Sequence, residues 1–210
     1  MAIVTKAVKQ GSLAWNGGVM RVSKEQAAEN RTRILTEAAR LFRERGLSGV
    51  GVDALTEAAG LTHGSLYSRF GSKERLAVEA LGHALSTSAL ARLPEQAGRG
   101  EVAAAVTRYL APSHRDAPGQ GCALAAVGCE MARQPAALRD VFTEALQERV
   151  RVLATSMPVH GPSAEASAIA LLAGMVGAMV LARAVDDPAF SDRILAASRE
   201  SLLERLDAER

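Results

Sequence analysis

Apolar residues recur along most of this chain at intervals of three and four, and no run alternates in the manner of a half-buried strand, so the pattern predicts an all-α protein. From Lys24 to Arg45 the positions Ile34, Leu35, Ala38, Ala39, Leu41 and Phe42 form one amphipathic face, which Gly46 ends. A short helix is predicted over Val52–Ala59, with Val52, Leu55 and Ala59 inward and Gly60 as a residue able to take the left-handed conformation of a sharp helix end. Thr62 can then cap a second short helix over about His63–Arg69, with Leu66 and Phe70 as its apolar side. Its other side carries His63, Ser65, Tyr67, Ser68 and Arg69. Two short helices joined by a glycine turn, the second with a polar outer face that fits a DNA major groove, read as a helix-turn-helix.

Ser72 can cap a further helix from Lys73, with Leu76, Ala77, Ala80, Leu81, Ala84 and Leu85 on one face. More helices are predicted over Glu101–Leu110, Cys122–Arg133, Ala136–Thr155 and Ala164–Val185, and a last one carries Ile194, Leu195, Leu202 and Leu206, for about nine in all. Ala111–Gly121, with two prolines and two glycines, reads as a loop, and Pro158–Ser163 as a break between helices. The expected organisation is a flexible leader (1–20), a helix-turn-helix DNA-binding domain (21–72) and a larger helical domain (73–210). The leader holds the single tryptophan, Trp15, and Met20 is an alternative start; Lys6 and Lys9 would be a minor-groove arm if the leader binds DNA.

Composition changes little in this picture. Aromatics are only 3% against a hydrophobic fraction of 48%, so the core must be built from Ala, Leu, Val and Met. The net charge of +2 is too small to establish nucleic-acid binding by itself. Its distribution says more: residues 1–45 hold nine basic and four acidic side chains, a net of +5, which leaves −3 for the rest. Cys122 and Cys129 are the only cysteines; with no CxxC or His-Cys cluster they indicate neither a disulfide framework nor a zinc site, and they suit a reducing cytoplasm. No secretory signal pattern opens the chain. The uncharged run Ala166–Ala182, of 17 residues, is at the lower edge of a membrane-spanning length, but it is rich in Ala and Gly and bounded by Glu165 and Arg183, so it reads as a packing helix and no membrane partner is expected.

One ordered set of residues resembles a known family. Ala39, Leu41, Phe42 and Gly46, then Val52, Leu55, Ala59-Gly60-Leu61-Thr62, Gly64, Leu66-Tyr67, Phe70, Ser72-Lys73-Glu74 and Leu76 look like the DNA-binding domain of the tetracycline repressor (TetR/AcrR) family of bacterial transcriptional regulators. The resemblance covers roughly residues 24–80; Gly51 stands where the family usually has Ser or Thr, and Thr56 where it has Ala, so the second helix should be weakly capped. The resemblance implies a homodimer whose third helices enter successive major grooves of a near-palindromic double-stranded operator, a small-molecule effector, no cofactor, and no enzymatic activity. By motif position Thr62, His63, Gly64 and Ser65 would meet the DNA at the helix start, with His63, Gly64 and Ser65 toward base edges, Tyr67 and Arg69 toward phosphates, and Lys73 toward a phosphate from the next helix. The chemistry agrees: Lys73 sets a cation beside early-turn N-H groups, and a histidine at a purine edge can donate or accept, whereas Ser65 discriminates little.

The regulatory half is less legible. Candidate pocket residues are Tyr109, Cys122, Val127, Met175 and Met179, with ordinary dimer core as the other reading of the methionines. Candidate dimer-interface residues are Gly174, Gly177, Leu181, Ile194 and Leu202 on the last two helices, with packing inside one chain as the alternative. Glu130 reads as an exposed helix residue or a ligand anchor. Two other functions are open to these residues: a thiol sensor using Cys122 and Cys129, and a small helical enzyme using either cysteine or His114. No base-orienter pair accompanies those groups, and no phosphate loop or metal-ligand spacing is visible.

Overall fold

A computed structural model describes residues 24–88, 90, 93–157 and 162–208, and within them the chain forms ten α-helices and one 3₁₀ turn. The leader, with Lys6, Lys9, Trp15 and Met20, lies outside the described residues, as does most of the Pro158–Ser163 break. The helices are α1 (Lys24–Arg45), α2 (Val52–Ala59), α3 (His63–Phe70), α4 (Lys73–Ser86), α5 (Arg99–Tyr109), α6 (Pro112–Asp116), α7 (Ala123–Met131), α8 (Ala136–Ala154), α9 (Pro162–Ala184) and α10 (Pro188–Ala208).

The N-terminal module is organised by its punctuation. Gly60 takes the left-handed conformation at φ 62°, which a side chain would resist, and reverses the chain after α2. Thr62 and Ser72 start α3 and α4, each side-chain oxygen accepting a backbone N-H three residues on, at 3.2 Å. Gly51 precedes α2 without a side-chain cap, the weak cap its sequence implies. Thr56, buried in α2, satisfies its hydroxyl by donating to the carbonyls of Val52 and Asp53. Ile34, Phe42, Leu55, Leu66, Phe70 and Leu76 close one core between α1 and the three following helices. A buried leucine such as Leu66 contributes about 1.5–3 kcal/mol by leaving water, which suffices to orient a helix only eight residues long.

α4 packs on α1 with one side and on α8 with the other, so it belongs to both halves of the molecule. α9 and α10 form an antiparallel pair, and α9 also lies on α7 and α8. The buried Ser191 hydroxyl closes their turn by donating to Ala182 O at 2.6 Å while accepting from Arg115 at 2.9 Å. By length and composition α9 could cross a membrane, yet Ala164, Ala168, Leu171, Leu172, Met175, Ala178, Met179 and Ala182 bury one of its faces in the core.

The stretch 111–121, expected as a loop, is largely helical. Pro112 and Pro118 each open an element, a place where the missing N-H is free of cost and the fixed φ favours a helix start, so the same prolines that suggest a loop here begin α6 and the 3₁₀ turn Pro118–Gln120. The turn packs tightly on α1. A Cβ at the buried Gly119 would come within 2.3 Å of Glu44 Oε1 and 3.0 Å of Arg40 Cγ, and Arg43 Nε donates to Gly119 O at 2.7 Å.

Candidate nucleic-acid interface and regulatory cavities

α3 presents its polar side outward because Leu66 and Phe70 are held in the core behind it. Thr62, His63, Gly64, Tyr67 and Arg69 are exposed, and Ser65 and Lys73 are half-buried. Tyr67 is 46% exposed, a large ring left in water with its hydroxyl free to reach a phosphate. Thr62 occupies one early amide of α3, and helix geometry leaves the N-H groups of His63 and Gly64 without intrahelical partners, a ready anion site. A Cβ on Gly64 would meet nothing within 4 Å, so the chain's own packing does not demand glycine there; its absence of side chain keeps the surface open to close approach.

The structure adds partners that periodicity does not reveal. His63 Nε2 lies 2.6 Å from Asp53 Oδ1 on α2, so base contact must compete with an exposed carboxylate. Arg69 Nε reaches Ser65 Oγ at 3.4 Å, a weak bond that DNA can replace. Arg31 of α1 lies over the Phe70 ring at 4.5 Å, donates to Arg69 O at 3.3 Å and pairs with Glu79, tying α1 to α3 and α4. A lone arginine in a charged helix gives no sequence signal for these ties.

A cavity of about 870 Å³ lies between α7, α8 and α9. Leu124, Phe142, Leu146, Val150, Ile169 and Val176 give it an apolar lining, with Gln147, Arg151, Thr155 and Glu165 as polar points. The expected pocket residues are distributed differently. Tyr109 and Cys122 line a separate cavity of about 250 Å³ with His114, whereas Val127, Met175 and Met179 are core residues that line neither space. Of the expected interface residues, Gly174 and Leu202 pack on each other, a Cβ at Gly174 falling 3.0 Å from Leu202 Cδ2. Gly177 looks into open space, Ile194 is half-buried and Leu181 is 58% exposed.

Glu130 is neither a free surface residue nor a ligand anchor. From α7 it accepts the backbone N-H groups of Leu47 and Ser48, each at 3.2 Å, at the connection between α1 and α2. A Cβ on Gly46 would lie 2.3 Å from Glu130 Oε1, so this approach depends on a glycine, which also sits at φ 75°.

His114 is fixed by both ring nitrogens. Nδ1 donates to Tyr109 O at 2.7 Å and Nε2 accepts the Cys122 N-H at 2.9 Å, an arrangement that requires the neutral ring and leaves no lone pair for general-base work. Burial, assisted by nearby Arg183, lowers its pKa below the ordinary 6.5. His83 is lowered too, mainly by burial. A histidine with a depressed folded pKa binds its proton more readily in the unfolded chain, so stability is flat above about pH 6.5 and falls as pH drops below it. His114→Gln is expected to flatten that acid slope in urea-unfolding midpoints taken from pH 8 to about pH 5; an unchanged slope would assign the effect elsewhere. Tyr109 is deeply buried with its hydroxyl unpartnered among the described residues, and burial, with the Cys122 thiol beside it, raises its pKa well above the usual value. Cys122 is buried, Cys129 exposed, and both are free thiols seven positions apart on the α7 segment.

A helix-turn-helix stands at one end of an all-helical body that carries a cavity between α7, α8 and α9. The family described as bacterial regulatory proteins, tetR family, matches residues 34–80. The HTH-type transcriptional repressor KstR2 of Rhodococcus jostii is 49% identical over 51 residues, 24% of this chain and 25% of that protein. The HTH-type transcriptional regulator AcrR of Shigella flexneri is 39% identical over 56 residues, 27% of this chain and 26% of that one. The chain thus spans about a quarter of the length of the curated relatives it matches. The likeness of the whole is one of fold: a TetR transcriptional regulator from Chloroflexus aurantiacus superposes with a TM-score of 0.70 at 23% identity, over 87% of this chain and 95% or more of that one, at 96%. The names of these relatives are those of transcriptional regulators.

Proposed function

We propose that the chain is a dimeric, cytoplasmic, DNA-binding repressor that a small molecule releases from a near-palindromic operator. The observation that carries this reading is the outer side of α3, where Thr62, His63, Gly64, Tyr67 and Arg69 stand exposed on a rigid two-residue apolar anchor beside the cation of Lys73. His63 and Ser65 meet base edges, Tyr67, Arg69 and Lys73 meet phosphates, and DNA shape supplies part of the specificity.

The effector occupies the 870 Å³ cavity, a volume suited to a drug-sized, mostly apolar molecule, rather than the smaller space beside Tyr109 and Cys122. Leu124 and Gly128 of α7 line that cavity, and Glu130 of the same helix holds the α1–α2 connection by two amides. An effector that displaces α7 therefore bears on the reading head directly and favours a spacing of the two modules that no longer fits successive grooves.

The second copy covers the outer faces of α9 and α10. Leu181 and Phe190 are 58% and 44% exposed there, large apolar groups that water does not stabilise, and Gly177 lets backbones approach. Leu181→Glu is expected to raise the dimer dissociation constant on the order of 100-fold, since it removes an anchor and places a charge in an apolar contact. Sedimentation equilibrium reads this directly; an unaltered dimer would move the interface off this face. The reading as a whole is tested by titrating purified protein onto the DNA flanking its own gene across salt and with a panel of compounds. A saturable complex of two chains per site, dissolved by a compound, is expected; a complex of one chain per site, insensitive to sequence, would count against it.

A further inference from the structure

Two arginines from distant parts of the chain share one groove, and neither is ion-paired among the described residues. Arg43, on α1, and Arg183, in the last turn of α9, both line a space of about 630 Å³ together with Arg115, Ala125, Ala126 and Cys129. Each is half-buried. Arg43 Nε donates to Gly119 O at 2.7 Å; Arg183 donates from Nε to Arg115 O at 3.1 Å and from Nη2 to His114 O at 2.7 Å. These backbone bonds fix the two guanidinium groups but do not neutralise them, and neither forms an ion pair among the described residues.

The acids that border the groove are taken by other partners. Glu44 pairs with Arg40 at 2.7 Å, and Asp116 with Arg115 at 2.7 Å, while Arg115 also binds Asp192 at 2.6 Å. Asp186 stays exposed at the rim. Burial is the main force lowering the basicity of both Arg43 and Arg183, the mark of cations that have given up water. Glu44 and Asp116 act on these cations only from a distance, and a partly desolvated guanidinium with no direct ion pair has planar donors that suit a carboxylate or phosphate group in a bidentate contact. Among the described residues, neither terminal nitrogen of Arg43 nor Nη1 of Arg183 has a hydrogen-bond or ion-pair partner.

We propose that the groove between α1 and α9 is a second ligand site, for a compact anion bearing a carboxylate or phosphate group, bridged by Arg43 and Arg183. It is separate from the apolar cavity of α7, α8 and α9, and it goes beyond the repressor reading. The bridge joins the first helix of the DNA-binding module to the helix assigned to the dimer face, so anion occupancy fixes their relative position. An anionic metabolite would act there as a co-regulator, independent of the apolar effector.

The test uses the full chain without DNA, at constant ionic strength, with inorganic phosphate and citrate as separate probes followed by calorimetry and thermal unfolding. At least one probe is expected to bind saturably and raise the unfolding temperature, and which one binds distinguishes the phosphate source from the carboxylate source. Arg43→Gln and Arg183→Gln should each weaken binding about tenfold or more. Arg183→Lys, which keeps charge but loses the planar fork, guards against a folding defect and should weaken binding less than Arg183→Gln. Arg139→Ala, which removes an exposed cation of α8 away from both the groove and the DNA face, should leave it unchanged. Absence of saturable binding for both probes, equal binding by the wild type and both glutamine variants, or loss on Arg139→Ala would overturn the site. Since DNA plays no part in the readout, failure here leaves the operator-binding reading standing.

Discussion

Lys73→Ala weakens binding to specific and random DNA alike, by about 30-fold for a dimer near 0.15 M salt, and lowers the salt slope by about 1 per bound subunit. The estimate follows from releasing roughly one counterion per lost phosphate contact in each of two subunits. The structure makes this lysine a good subject. It is the first residue of α4, immediately after the Ser72 cap, which sets a cationic residue beside the early amides of the helix, where the proposed phosphate contact would fall. The side chain is half-buried and the helix behind it is fixed by Leu76, Ala77 and Ala80 in the core, so truncation removes a contact without loosening the module. Fluorescence anisotropy across a salt series measures both quantities; a loss confined to one sequence would make Lys73 a base-reading residue instead.

Glu130→Ala is the second large effect. It strips the Leu47 and Ser48 amides of a charged acceptor, and charge-assisted hydrogen bonds are worth about 1.5–3 kcal/mol each when shielded from water. The two bonds here are partly exposed, so about 2 kcal/mol in total is a fair discounted figure, equal to roughly 30-fold in an opening equilibrium. Hydrogen exchange at Leu47 and Ser48 should accelerate by about that factor while exchange in α9 stays as it was. The same variant should bind operator more weakly and respond less to the effector, because the strut from α7 to the reading head is gone. Unchanged exchange at both amides would show that the connection is held by Val50 and Leu47 packing alone.

The two halves of the molecule differ in how far their sequence declares them. Local rules suffice for α1 to α4: the apolar spacing of Ile34 to Phe42, the glycine at Gly60 and the hydroxyls of Thr62 and Ser72 act within a few residues, and the predicted helices there match the observed bounds nearly residue for residue. The stretch 111–121 misleads because proline is ambiguous between breaking a helix and opening one, and only packing against Arg40, Arg43 and Glu44 of α1 decides. Glu130 is 82 and 83 positions from its amide partners, and the ring of His114 is read by backbone atoms; contacts of that kind leave no periodic trace. Val127, Met175 and Met179 look like pocket residues by type, yet a helix interior and a cavity wall ask for the same apolar side chains, so composition cannot separate them. On the DNA side, His63, Tyr67 and Arg69 were legible as an outward face, while the tether from His63 to Asp53 was not, because it joins two helices across a turn.

The account's central claim is that paired α3 faces read a two-fold DNA site, with His63 at the bases and Lys73 on the backbone. Selection of bound sequences from a random duplex pool, run side by side for the wild type, His63→Ala and Lys73→Ala, tests it most directly. The wild type should enrich an inverted repeat whose half-sites lie about one helical turn, roughly 34 Å, or a multiple of it, apart. His63→Ala should relax preference at symmetry-related positions of each half-site, and Lys73→Ala should enrich the same sequence at lower affinity. No enriched repeat, or an identical preference profile for the wild type and His63→Ala, would contradict it.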